Sequence, residues 1–169
     1  MKTLIADLKT RLAQVPTIRY IDEDWGQLDY YSPNPPAKWP CALIDISQVQ
    51  WTSQGQHIQT GMVQLSIRVA DVRLANTNAK APESQRTAAA SIFDLLYSIN
   101  EKLHGWTAGE GSDYGPLTRV STRRIAREDG IREFEIIYSV QLFETSAEIT
   151  YGMAPASPKI VVSIKKPTG

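Results

Sequence analysis

Val63-Gln64-Leu65-Ser66-Ile67-Arg68-Val69 alternates apolar and polar residues without a break. Successive side chains of a strand point to opposite faces, so this stretch reads as a half-buried strand with Val63, Leu65, Ile67 and Val69 inward. Upstream, Pro40 introduces Cys41 to Val49, a second strand with an apolar start. The two form a hairpin whose tip, Thr52 to Gly61, is longer than a two-residue turn requires. The alternation returns between Ile131 and Glu144, where Phe134, Ile136, Tyr138, Val140 and Leu142 share one face. A partner strand from Leu117 to Arg127 and the pair Asp129-Gly130 precede it, and Asp-Gly suits a type I′ turn.

Helical spacing flanks these strands. Leu4, Ile5, Leu8, Leu12 and Val15 make one apolar stripe, stopped by Pro16, and Ile18 to Ile21 reads as a short extended piece. Ala88, Ile92, Leu95, Leu96, Ile99 and Leu103 make another, with Gly105 as its stop. The acidic run Asp22-Glu23-Asp24 reads as a solvated loop, and the prolines at 33, 35 and 36 keep the next stretch irregular. Gly105 to Gly115, with four of the ten glycines, reads as a mobile loop. The resulting class is α+β: a mainly antiparallel sheet with two helices packed on one face. One domain covers 1–145, and 146–169 reads as a C-terminal arm with one short apolar run, Ile160-Val161-Val162.

Length and composition bound the rest. The chain of 169 residues has room for one domain, with 42% hydrophobic and 21% charged residues. Eighteen basic and eighteen acidic side chains cancel, so no global field draws the molecule to polyanions or anionic lipid. A single cysteine, Cys41, excludes an internal disulfide. Charges at Asp7, Lys9 and Arg11 interrupt any signal-peptide core, and no apolar run spans a bilayer. A soluble, non-membrane protein is the expectation.

Chemistry-bearing patterns are sparse. His57, His104 and Cys41 are too few and too scattered for zinc. A Cys41–His57 nucleophile pair is conceivable, but a packed cysteine is the plainer reading. Asp22 to Pro33 fails the calcium-loop pattern, with Gly26 and Pro33 where ligands belong. Gly109 to Gly115 follows a helix and opens a strand, the reverse of a phosphate loop. Arg119, Arg123, Arg124 and Arg127 could line one face toward a polyanion, yet Glu128, Asp129, Glu133 and Glu135 across the turn can pair with them. Trp25, Trp39, Trp51 and Trp106 sit at element ends, and with Tyr30 and Tyr31 they suit anchors for another protein.

The order of elements resembles a known family. A helix ending Val15-Pro16-Thr17-Ile18 leads to Trp39-Pro40-Cys41-Ala42-Leu43-Ile44. The long-tipped hairpin, a helix ending Leu103-His104-Gly105 and the Asp129-Gly130 hairpin follow. This arrangement is similar to the tail-terminator, or tail-completion, proteins of long-tailed bacteriophages, including the branch in Mu-like prophages. The resemblance covers about residues 1–145. It implies a virion-assembly protein without catalysis, cofactor or metal, forming a homo-oligomeric, hexameric ring that caps the tail tube and helps join tail to head. Its implied partners are copies of itself, the tail tube protein and the head–tail connector, with DNA only passing through a lumen. Its implied place is the bacterial host cytoplasm during assembly, then the virion tail. Candidate contact residues are Trp25, Tyr30, Tyr31, Trp51 and Trp106, then Gln54 and His57 at the hairpin tip. Arg119, Arg123 and Arg124 join them from the basic strand, and Ile160 and Val162 from the arm. Segments 52–61, 105–115 and 146–169 are expected to order on assembly. Two other classes remain open at this point: a nucleic-acid module using the arginine-rich hairpin 119–132, and a small-molecule site built from Asp22, Asp24, His57 and His104.

Overall fold

The computed structural model describes residues 1–31, 34–55, 57–72 and 75–145. The expected arm 146–169, with Ile160 and Val162, lies outside the described residues. The fold is α+β, and its elements follow the order α1 (Lys2–Leu12), β1 (Tyr20–Glu23), α2 (Gln27–Tyr30), β2 (Cys41–Ser53), β3 (Gln59–Val72), α3 (Glu83–Leu103), β4 (Thr118–Ile125) and β5 (Ile131–Glu144). The strands form one sheet in the order β1-β2-β3-β5-β4, antiparallel except where β1 joins β2.

The inner face is continuous hydrocarbon. Val63, Leu65, Ile67 and Val69 of β3 and Ile136, Tyr138, Val140 and Leu142 of β5 pack with Leu4, Leu8 and Leu12 of α1 and Leu95, Ile99 and Leu103 of α3. Helical period on one side and strand period on the other bring the apolar stripes into a single core. Val15 lies beyond the end of α1 and is buried all the same. On α3 the buried alanine is Ala89, and Ala88 of the expected stripe is exposed.

Two bulges change which residues face inward. In β2 the register slips between Ile46 and Gln48, and the Ser47 hydroxyl donates to the Gln64 carbonyl. Ile44 and Ile46 therefore point inward before the slip, and Val49 packs against the same core after it. In β4 the slip falls between Arg119 and Ser121. It puts Arg119 and Arg124 opposite Tyr138 and Phe134 on the helix side, and Arg123 opposite Glu135 on the outer side. The arginines of this strand do not line one face: alternation separates the consecutive Arg123 and Arg124, and the bulge puts Arg119 with Arg124.

Three expected loops are corrected. The tip Thr52 to Gly61 is mostly strand: Ser53 pairs with Gln59, and Gln54 N–H donates to the Ile58 carbonyl at 2.9 Å. Gly61 accommodates the ring of Trp51 opposite it, because a Cβ there would lie 2.8 Å from that ring. The segment 105–115 is pinned to the sheet. Gly105 N–H donates to Leu117, Gly115 N–H to Gln141 and Phe143 N–H to Asp113, while Tyr114 is buried with its hydroxyl on Asp7. The β4–β5 connection spans 126–130 and is not a type I′ turn, since Gly130 takes positive φ and Asp129 does not.

The acidic run is the third correction, for it is not a solvated loop. After β1 the chain folds over the sheet's outer face as α2, opened by Gly26 at φ 93°, where a Cβ would meet the Tyr30 ring at 2.3 Å. Gln27 is fully buried: its side chain accepts from Trp25 N–H and donates to the Glu23 carbonyl. Leu28 drops onto Cys41, Leu43 and Ala70, forming a small second core rimmed by Tyr20, Ala37, Trp39 and Ile131. Burial pushes the Cys41 thiol up to about 12, which leaves it a packing group rather than a nucleophile.

Candidate functional site

Four surface regions gather the chemistry. The first is the α2 end of the outer face. Arg68 donates to Asp24 and Asp29 at 2.7 Å and to the fully buried Glu133. Arg127 pairs with Asp129 at 2.6 Å and Glu133 at 2.8 Å, and also donates to the Leu28 carbonyl. Burial would lower the Arg68 pKa, but its hydrogen bonds to Asp29, Glu133 and Asp24 raise it, and the Arg127 pKa rises chiefly through Asp129. The Asp29 and Asp129 carboxyls are held below the usual range by Arg68 and Arg127 respectively. Arg123 pairs with Glu135, which also accepts from Ser66. Burial opposes ionisation of Glu135, and the Arg123 and Ser66 hydrogen bonds still bring its carboxyl below the usual range. Arg123 and Arg127 thus serve the fold, as pairing across the turn allowed.

The second region is the corner at the β1 edge. Lys9 of α1 is shared by Asp22 at 3.2 Å and Glu23 at 3.0 Å. Asp22 also accepts from the Tyr20 hydroxyl and from Trp25 Nε1. Trp25 is 50% exposed and meets Tyr31 edge-to-face at 5.4 Å, and Tyr30 is 82% exposed. Trp25 and Tyr31 therefore form one aromatic pair, with the exposed Tyr30 ring over Gly26, next to Trp25 in the chain.

The third region lies on the opposite edge, between α3 and β4. A groove of about 470 Å³ is lined by Phe93, Leu96, Tyr97, Arg119, Thr122, Arg124, Phe134 and Ile136. A second groove of about 570 Å³ shares Phe93, Arg124 and Phe134 and adds Arg86 and Arg132. Arg132 stacks over the Phe93 ring and donates to the Ala89 carbonyl, whereas among the described residues Arg86, Arg119 and Arg124 have no ion-pair partner. Phe93 and Tyr97, the latter 71% exposed, escaped the sequence reading. Their one signal is an aromatic pair at i, i+4 beside the apolar stripe of α3.

The fourth region is the far end of the sheet. Trp51, Gln54 and His57 lie at or near the β2–β3 tip, where Gln54 donates to the Thr60 hydroxyl and the Trp51 ring covers Gly61. Behind them the outer face carries Gln48, Gln50, Met62, Gln64, Val120, Ile137 and Ser139 with no charged side chain. Trp106 belongs to none of these regions. It is a half-buried lid on the main core, tilted against Tyr114 with the Arg11 guanidinium over its ring, not a surface anchor.

The small-molecule constellation does not assemble. Asp24 N–H donates to the Ile44 carbonyl, about 30 Å along β2 from His57 at 3.3 Å per residue. His104 Nδ1 accepts from Arg119 N–H at the end of α3. Among the described residues no three His, Cys, Asp or Glu side chains are grouped to hold a metal ion, and no helix is long and apolar enough to cross a membrane.

No protein-family model matches the sequence, and no curated protein matches it. Among solved structures the chain is similar to a chain of the virion of a native gene transfer agent particle. The likeness has a TM-score of 0.50 at 14% identity and covers 83% of this chain and 94% of that one. It establishes a shared fold across nearly the whole of the other chain.

Proposed function

We propose that this chain is a structural protein of a phage-like virion, acting as a tail terminator: a ring that caps the tail tube and presents a surface to the head connector. The observation that carries this reading is the fold shared with a virion component over 83% of the chain. The element order that resembles tail-terminator proteins supports the finer assignment. So does the distribution of surface chemistry, with aromatic groups at two opposite edges and an uncharged patch at one end of the sheet. Head-to-tail rings need two different surfaces per subunit, and a third to meet the tube or connector. In this reading the residues bind other proteins and turn over no substrate.

Deletion of the gene from a particle-producing strain tests the assignment. Electron micrographs are expected to show tails of uncontrolled length and unjoined heads, and complementation restores both. Particles of normal tail length and normal joining in the deletion strain overturn it.

A further inference from the structure

We propose that a second copy of this chain seats its β1-edge corner, Asp22, Glu23 and Trp25, in the arginine-lined groove between α3 and β4. The inference rests on the ring reading above and names the two surfaces that build the ring. β1 and β4 are the two outer strands of one sheet, so the corner and the groove lie on opposite edges of each molecule. A contact joining them is head-to-tail by construction, and its repetition closes into a ring when the rotation permits.

The two surfaces are complementary in charge. Linings of the two adjoining grooves hold Arg86, Arg119 and Arg124, which have no ion-pair partner among the described residues, and no carboxylate; Arg132 in the same lining sits opposite Asp71. The corner has two carboxylates on one lysine, Lys9, which leaves one negative charge unmatched. They also match in shape chemistry. Phe93 and Tyr97 stand exposed on the groove's helix wall because the sheet ends at β4, where every residue from Thr118 to Arg124 is exposed. An indole inserted there covers the two rings and meets a guanidinium face-on, an arrangement favourable once desolvated.

A basic, aromatic groove also fits a nucleic-acid strand. The second copy is favoured because the complementary acidic and aromatic group is present on this same molecule, and because eighteen charges of each sign give no long-range pull on a polyanion.

The test uses two full-length charge-reversal variants: Arg119→Glu with Arg124→Glu for the groove, and Asp22→Lys with Glu23→Lys for the corner. Circular dichroism checks that each remains folded. In sedimentation velocity the unaltered chain is expected to self-associate, less so at high salt. Each variant alone is expected to lose at least about tenfold in association, since like charges then face each other. A one-to-one mixture is expected to recover association, because every corner–groove contact between the two variants is again of opposite sign. A chain that stays monomeric to about 1 mM, association that survives either reversal, or a mixture that fails to recover overturns the inference. Retention on a DNA column that the groove variant abolishes, with sedimentation unchanged, overturns it in favour of a polyanion. None of these results bears on tail length in the deletion strain, so the ring contact and the tail function fail separately.

Discussion

At one end of the sheet's outer face, Arg68 and Arg127 meet Asp24, Asp29, Asp129 and Glu133 beneath the flap formed by α2. At the other end, Gln48, Gln50, Met62, Gln64, Ile137 and Ser139 carry no charge, and among the described residues nothing covers Met62, which is 51% exposed. Both ends belong to the same three long strands, so the backbone does not explain the contrast. The charged end has spent its groups on one another: each guanidinium has several carboxylate or carbonyl partners, and the flap anchors through Leu28. The uncharged end has groups that can be buried against another protein at little desolvation cost. Charge on this face therefore holds the fold together, and where it is absent the face is uncovered among the described residues.

Breaking the charged end is expected to cost most. Glu133→Ala removes the buried carboxylate shared by Arg68 and Arg127 and should destabilise the fold by about 3 kcal/mol in urea unfolding. Replacing Arg68 by Met and Glu133 by Leu together should not restore that loss, because Asp24, Asp29 and Arg127 each lose a partner and the mostly buried Asp24 is left without its guanidinium. Leu28→Ala should cost about 2–4 kcal/mol by emptying the small second core. It should also change Trp25 fluorescence as the flap loosens, whereas a purely local cavity would leave the indole unaffected.

Acid sharpens the comparison more gently. Asp29 and Asp129 have folded carboxyls held below their unfolded range, so the stability they contribute is complete above about pH 4. It is lost as pH falls through their lowered folded values. Trp25 emission should therefore shift below about pH 4, before the inner core melts. Asp45 and Asp71 work in the opposite sense, since burial raises their carboxyls and protonation relieves that cost. The smallest effect belongs to the uncharged end. Met62→Asp should leave unfolding free energy within about 0.5 kcal/mol of the unaltered chain. A larger loss would mean that this end also supports the monomer.

Much of the fold was legible because its signals are local. The alternation from Val63 to Val69 and from Phe134 to Leu142, and the stripe from Leu4 to Leu12, are properties of neighbouring residues and appear unchanged in the core. The candidate sites were half legible. Trp25, Tyr30 and Tyr31 are exposed, with Trp25 against Tyr31, and Trp51 and Gln54 are exposed near the β2–β3 tip beside a half-buried His57. Trp106 is a lid through tertiary contacts that its own neighbours in sequence do not announce: Arg11 comes from the far end of the chain, and Tyr114 is brought back by the folding of 105–115 onto the sheet. Arg123 and Arg124, being consecutive, fall on opposite faces by alternation alone; that Arg119 shares the face of Arg124 follows from a one-residue bulge, which leaves no mark in composition.

The amino-acid order by itself determined the α+β class, the apolar faces and the paired-charge chemistry of the β4–β5 hairpin, since each depends on spacing within a few residues. Only the tertiary structure decided that Asp24 and Asp29 belong to Arg68, that Tyr114 is core, and that an acidic corner and an arginine-lined groove lie on opposite edges of one sheet. These relations join residues dozens of positions apart. They exist only once strand order and bulges have set which side chains share a face.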